Sequence, residues 1–422
     1  MTKDFCCIKI KNSNFYIFEE LGVIILQLTP LEELRRRIQN LQFRLQQESL
    51  DGALLTENMD LFYFAGSMQQ GFLFVPVDKE PLYMVKRNYN RAREESNWEN
   101  ILPLSNLKQL SEYIEDYAER ELKSIGLELD VLPVNQYKRL QHEFPPLTFI
   151  DISTMIKEIR MIKSDYEINF FRKAAERSLQ INRKIPGLLK VGKPEIILAT
   201  EIESLYRKEG HQGLLRMRAF NTEMFFGHVY CGENGALSTF LDSCTGGKGL
   251  TTASPQGAGW KLLAPHEPVG VDYASIYEGY VLDETRVFSI GSLPPVLEKA
   301  YHVARQIQEK VISKAAPGIL CEDLYRLALE MATSQGLGDY FMGYRDEQVK
   351  FIGHGLGLDI DEFPILSQGS KHILQPGMVF ALEPKFIFPG KGMSGLENVW
   401  LVTKTGMEKL TLIPDEMVTV NI

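Results

Sequence analysis

At 422 residues the chain is long enough for two or three folded units, and 44% hydrophobic with 24% charged residues is ordinary globular usage, which excludes a disordered, collagenous or coiled-coil protein. A formal net charge of −9 argues against a nucleic-acid partner, because recognition there needs a basic surface that displaces counterions. The five cysteines, Cys6 and Cys7 adjacent and Cys231, Cys244 and Cys321 far apart, form no disulfide framework and no C-x-x-C knuckle, and point to a reducing, cytoplasmic setting.

In chain order, residues 1–28 read as an N-terminal extension with an edge strand around Phe15 to Phe18. The apolar stretch Leu21 to Leu28 is much shorter than a bilayer span and follows Glu19 and Glu20 rather than basic residues, so no membrane contact is expected. Thr29-Pro30-Leu31-Glu32 reads as a capping box with Pro at the first helical position, and Leu31, Leu34, Ile38, Leu41 and Leu45 recur at helical spacing toward Asp51-Gly52. Strands are expected at Ala53 to Thr56, Gly71 to Val77 and Pro81 to Val85, a helix over Leu107 to Leu122, and a further apolar run ending in Leu127-Leu129. This alternation predicts an α/β domain over 29–157. A second capping box, Ser164-Asp165-Tyr166-Glu167, opens a domain over 158–422.

The second domain carries an internal duplication. Gly192 to Gly210 and Gly318 to Gly336 each enclose a helical pattern of equal length, and both glycines are offset by 126 residues. Two pseudo-symmetric α/β halves follow, with a site expected between them.

Chemistry concentrates in two hairpins. Val269-Gly270-Val271-Asp272 and Asp283-Glu284-Thr285-Arg286 flank Glu278-Gly279, and a turn centred between Tyr277 and Glu278 sets Asp272 opposite Asp283. Met378 to Glu383 and Leu396 to Val402 flank Pro389-Gly390-Lys391-Gly392, and a turn centred on Gly390 sets Glu383 opposite Glu397. Opposed carboxylates repel on a sheet and are costly in a core, so something cationic must compensate. Between the hairpins, Gly353-His354-Gly355 holds an imidazole in an apolar run. Singly, a Gly-flanked His is a turn residue and Asp-x-Thr-Arg an exposed strand end; jointly, one His and four carboxylates form a ligand set for a pair of divalent ions, Mn²⁺ foremost, with Co²⁺ or Zn²⁺ as alternatives.

The order Asp272, Asp283 in Asp-x-Thr-Arg, Gly-His354-Gly-x-Gly, Glu383-Pro384, then Glu397 resembles the creatinase/prolidase/aminopeptidase P family over about residues 29 to 414. The resemblance implies a creatinase-type N-terminal domain and a pita-bread catalytic domain with pseudo-twofold halves. It implies two divalent ions held by Asp272, Asp283, His354, Glu383 and Glu397, and Xaa-Pro peptide hydrolysis by a metal-bridging hydroxide with Glu383 as catalytic proton carrier. It also implies a homodimer acting on a peptide or other small substrate.

Three positions depart from that pattern. Asp361 stands where family peptidases have a second His, Ser254-Pro255-Gln256 where they have an upstream His, and Gly395 where they have an Arg. These exchanges keep open a non-peptidase hydrolase or lyase, or a catalytically silent metal-binding protein, on the same scaffold. The segment Cys244 to Thr252 lacks Walker A spacing and reads as a mobile loop at the mouth of the site. Asp361, Lys248 and His228 are therefore candidates for the substrate pocket, and His266 reads as a surface or packing residue.

Overall fold

A computed structural model of the chain describes residues 27–422. The strand expected at Phe15 to Phe18, with Cys6 and Cys7, lies outside the described residues. One compact unit ends at Ile159 and a second begins at Arg160. None of the described helices is long and apolar enough to cross a membrane.

In the first unit, the helix Leu31–Gln47 buries Leu34, Ile38, Leu41 and Leu45 along one face, as their spacing requires. The capping box expected at its start does not form. Pro30 takes the cap position itself in an extended conformation, and Glu33 in the first turn is engaged by Arg36 and Arg37 at 2.7 and 2.8 Å. Six strands follow: β1 (Gly52–Leu55), β2 (Gly71–Pro76), β3 (Leu82–Val85), β4 (Ile101–Pro103), β5 (Ser124–Leu127) and β6 (Thr148–Asp151). They form one mixed sheet in the order β4-β3-β2-β1-β5-β6. The expected helix spans Leu107–Ala118 and buries Leu110 and Ile114.

The second unit opens on the helix Asp165–Asn182, whose capping box between Ser164 and Glu167 is formed as its sequence predicts. Two larger sheets and a separate two-stranded ladder then carry the strands β7 (Gly227–Cys231), β8 (Pro268–Tyr277), β9 (Tyr280–Ile290), β10 (Phe351–Gly355), β11 (Glu362–Ser367), β12 (Val379–Leu382), β13 (Lys385–Phe388), β14 (Gly392–Gly395), β15 (Asn398–Val402), β16 (Met407–Lys409) and β17 (Val418–Val420). One is ordered β17-β9-β8-β7, the other β11-β10-β12-β15-β16, and β13 with β14 extends the second hairpin.

The duplication is visible in detail. The helices Glu195–Lys208 and Cys321–Ser334 have equal length and lie 126 residues apart. The preceding glycines, Gly192 and Gly318, both have positive φ and donate to Leu263 and Leu374, while bridges join Pro194 to Leu262 and Leu320 to Ile373. Each half has its own core. Leu198, Ile202 and Tyr206 pack with Val229, Val271 and Phe288 in the first. Leu297, Tyr301, Ala304 and Ile307 of the helix Pro295–Lys314 pack with Ile352, Phe380 and Leu382 in the second. Fully burying such a leucine or isoleucine contributes about 1.5–3 kcal/mol, so the strands that present the site rest on two apolar foundations.

Both hairpins form, with different fidelity to their predicted registers. The β12–β15 and β13–β14 ladders pair Leu382 with Asn398 and Lys385 with Gly395, the register expected for a turn centred on Gly390. Pro384 has no N–H to offer a ladder, so pairing breaks at Glu383-Pro384 and the two glutamates lie in the gap. The first hairpin is shifted. Tyr277 pairs with Tyr280 across Glu278 and Gly279, both with positive φ, because a two-residue hairpin turn of this hand needs left-handed backbone at both central positions. Asp272 therefore faces Thr285, Asp283 faces Ala274, and the two aspartates are diagonal neighbours on one face rather than directly opposed.

Candidate metal centre

Alternation along β8 and β9 turns Asp272, Asp283 and Thr285 to the same face. The backbone N–H of Glu397 donates to the Thr285 carbonyl at 3.1 Å, and that of Glu383 donates to Ile352 on β10 at 2.9 Å. These two bonds tie both glutamates to the neighbouring strands. Arg286, buried beside Asp283 in sequence, donates from Nη1 to the Glu397 carbonyl at 2.7 Å and from Nη2 to Asn398 Oδ1 at 2.6 Å. The Asp-x-Thr-Arg motif is thus a buried bracket for the Glu397 backbone, not an exposed strand end.

Ligand atoms of Asp283, His354 and Glu397, all buried, lie within 4.8 Å of one another. His354 Nδ1 is 2.9 Å from the Ile360 carbonyl. A carbonyl only accepts, so Nδ1 carries the proton and Nε2 presents its lone pair to the site, 3.7 Å from Glu383 Oε1. Glu397 Oε2 accepts from Thr285 Oγ1 at 2.8 Å, whereas its Oε1 is buried with no hydrogen-bond partner. Burial first, and then the charges of Glu397 and Asp272, push the Asp283 carboxyl well above the usual range; burial pushes Glu397 up to about 7. Burial disfavours a charged His354 ring, yet Asp361 and Glu383 outweigh it and raise its proton affinity. A partnerless buried oxygen, an aimed imidazole lone pair and mutually repelling carboxylates are the donor set that a divalent cation relieves, so these residues fit a metal ion.

Asp272 and Glu383 face a different cation. Lys385 Nζ, buried, donates to Glu383 Oε2 at 2.8 Å, Glu397 Oε2 at 2.9 Å and Asp272 Oδ2 at 3.2 Å. Lys385 belongs to no ligand motif and stands two residues after Glu383, at the start of β13.

A cavity of about 650 Å³ opens over these groups. Its wall includes Asp361, His228 and Gln256, and its apolar part includes Met224, Tyr230 and Phe351. His228 pairs with Asp272 across β7 and β8, is buried with Nδ1 partnerless, and is pushed toward the neutral form by burial. It stands 126 residues before His354, the same offset as the duplicated glycines. Lys248 does not belong to the pocket: it is exposed, absent from the cavity wall, and held by its backbone N–H to Asn234 Oδ1 at 2.6 Å. The surrounding segment is organised by Glu195, whose carboxylate accepts from Cys231 N, Asn234 Nδ2 and Gly259 N at 2.6, 2.7 and 3.0 Å. Cys231, Cys244 and Cys321 are free and buried.

Residues 169–404 match the family model for metallopeptidase family M24, and residues 37–162 match the creatinase/prolidase N-terminal domain. The chain belongs to metallopeptidase family M24. It is 27% identical over 377 residues to an Xaa-Pro dipeptidase of Pyrococcus horikoshii, covering 89% of this chain and 96% of that one. The fold is similar to an Xaa-Pro dipeptidase from Bacillus anthracis, with a TM-score of 0.78 at 23% identity over 92% of this chain and all of that one. It is also similar to an X-Pro aminopeptidase from Thermotoga maritima, with a TM-score of 0.76 at 24% identity over 92% and 99% of the two chains. This M24 enzyme therefore combines a creatinase-type N-terminal domain with a pita-bread domain of two pseudo-symmetric halves, and family membership implies a divalent-metal cofactor.

Proposed function

We propose that this M24 enzyme is a divalent-metal-dependent peptidase that cleaves the bond before proline in Xaa-Pro dipeptides or short peptides, of the prolidase or aminopeptidase P type. The supporting observation is the buried convergence of Asp283, His354 and Glu397 beside Glu383 at a cavity of dipeptide size. When bound there, a divalent ion supplies Lewis acidity toward a carbonyl oxygen and toward water; Mn²⁺ is the first choice for a carboxylate-rich set, with Co²⁺ and Zn²⁺ as competitors.

The chain's own groups divide the remaining work. Glu383 is held between Lys385 at Oε2 and the His354 ring at Oε1, at the edge of the donor cluster, where it can take a proton from water and hand it to the leaving nitrogen. Asp361, 47% exposed on the cavity wall, offers an anion for the terminal ammonium of a short peptide. Met224, Tyr230 and Phe351 provide the apolar contact that a pyrrolidine ring requires.

A second reading, a non-peptidase hydrolase or lyase, is favoured by Asp361 itself, an anion where the resemblance places a histidine. The test is hydrolysis of Xaa-Pro dipeptide and Xaa-Pro-Yaa peptide panels by the Mn²⁺-loaded full chain. Turnover should fall about 100- to 10,000-fold in Glu383→Gln, with ion binding retained. An ion-loaded wild type inert on both panels refutes the peptidase reading and leaves the second.

A further inference from the structure

The carboxylates that the resemblance assigns to two ions are not equally available. An ammonium has three N–H donors, and Lys385 spends all three on Asp272, Glu383 and Glu397. The oxygens it engages are taken from one end of the donor set. The residues that remain together are Asp283, His354 and Glu397, the last with its Oε1 partnerless, and they suffice for a single ion.

The backbone shows that this placement is built. Lys385 pairs with Gly395 across β13 and β14, and a Cβ at 395 would come within 2.7 Å of Lys385 Cα and 3.1 Å of its Cγ. Only glycine there leaves room for the lysine stem to run into the site. The position where family peptidases carry an arginine has thus been emptied, and a cationic side chain now enters from the facing strand. A divalent ion on the same three carboxylates would meet this ammonium at contact distance, a like-charge encounter in a buried site where screening is weak.

We infer that Lys385 is a built-in replacement for one of the two metal ions, so that this chain binds a single divalent ion, at Asp283, His354 and Glu397, with Lys385 as the positioning residue for Asp272, Glu383 and Glu397. This rests on the metal-binding reading above and narrows it. The charge count agrees: the four carboxylates of the cluster are met by one divalent ion and one ammonium, leaving a single negative charge beside that of Asp361 on the cavity wall.

The test is metal content of the full chain, reconstituted with Mn²⁺ and freed of loosely held ions, by inductively coupled plasma mass spectrometry, with electron paramagnetic resonance on the same samples. Wild type should hold one ion per chain with the hyperfine pattern of an isolated Mn²⁺. Lys385→Gly and, as a second variant against misfolding, Lys385→Ala should hold two, with the pattern of an exchange-coupled pair. Two ions in wild type overturn the inference while leaving the metallopeptidase reading intact. No bound ion overturns both. Folded variants that stay at one ion also overturn it, because the lysine would not then be what excludes the second.

Discussion

Replacing Glu362 by Gln should destabilise the second unit by about 3–5 kcal/mol near neutral pH, the usual cost of removing one partner from a buried ion pair. Glu362 accepts from Arg160 Nη2 at 2.5 Å and Lys163 Nζ at 3.0 Å, with all three side chains at most 8% exposed. Burial alone would push this carboxyl up, yet the two cations outweigh it and hold it at about 2 against an ordinary 4.5. At about 1.4 kcal/mol per pH unit, that difference corresponds to about 3–4 kcal/mol, consistent with the mutational figure. A folded-state value below the unfolded one means that the unfolded chain protonates first as pH falls. The contribution is therefore complete above about pH 4.5 and fades as pH approaches about 2. Glu362 Oε1 also accepts from the N–H groups of Leu358 and Asp359, shaping the turn whose Ile360 carbonyl orients His354. Mn²⁺ affinity should consequently fall by about 10- to 100-fold, as for other groups that orient a ligand. Scanning calorimetry of both proteins at about pH 7 and about pH 3 tests this. The transition to follow is the one Mn²⁺ shifts, since two units need not melt together. An equal deficit at both pH values, or none at neutral pH, would rule out the ion pair as the source of this stability.

Further outcomes follow from other parts of the site. Saturation with Mn²⁺ at about 100 times its dissociation constant should stabilise the wild type by about 2.7 kcal/mol, and Asp283→Asn should abolish most of that increment in thermal melts. His211 donates from Nε2 to the Ala274 carbonyl and accepts at Nδ1 from Gly213 N, a neutral tautomer whose value burial pushes down to about 4. Its contribution is full above the unfolded value near 6.5 and is lost as pH falls toward 4, so that component of acid sensitivity should be missing from His211→Gln. Gly395→Ala places a methyl 2.5 Å from the Pro384 carbonyl and 2.7 Å from Lys385 Cα. Overpacking of this kind costs about 1–3 kcal/mol, and chemical denaturation of wild type and variant measures it.

The opposition of Glu383 and Glu397 was legible because a hairpin register depends only on where its turn lies, and the Pro-Gly-Lys-Gly segment marks that point well. The Asp272–Asp283 register differs from expectation by two because the turn lies one residue later than the sequence suggests, and only backbone angles show that Glu278 joins Gly279 in the left-handed region. Repulsion between opposed carboxylates calls for a cation, and the sequence carries one in Lys385, two residues after Glu383 across the break at Pro384. The Arg160–Glu362 pair joins positions 202 residues apart and has no local pattern to announce it. The glycine-rich neighbours that make Lys248 resemble a site residue serve the backbone of that segment.

The duplication also bears on how the protein matures. Asp272 and Asp283 come from one pseudo-symmetric half, His354, Glu383 and Glu397 from the other, so neither half can complete the donor set alone. Ion capture must therefore come late in folding, after distant stretches of chain have met, and it acts as a latch that rewards only the fully closed arrangement.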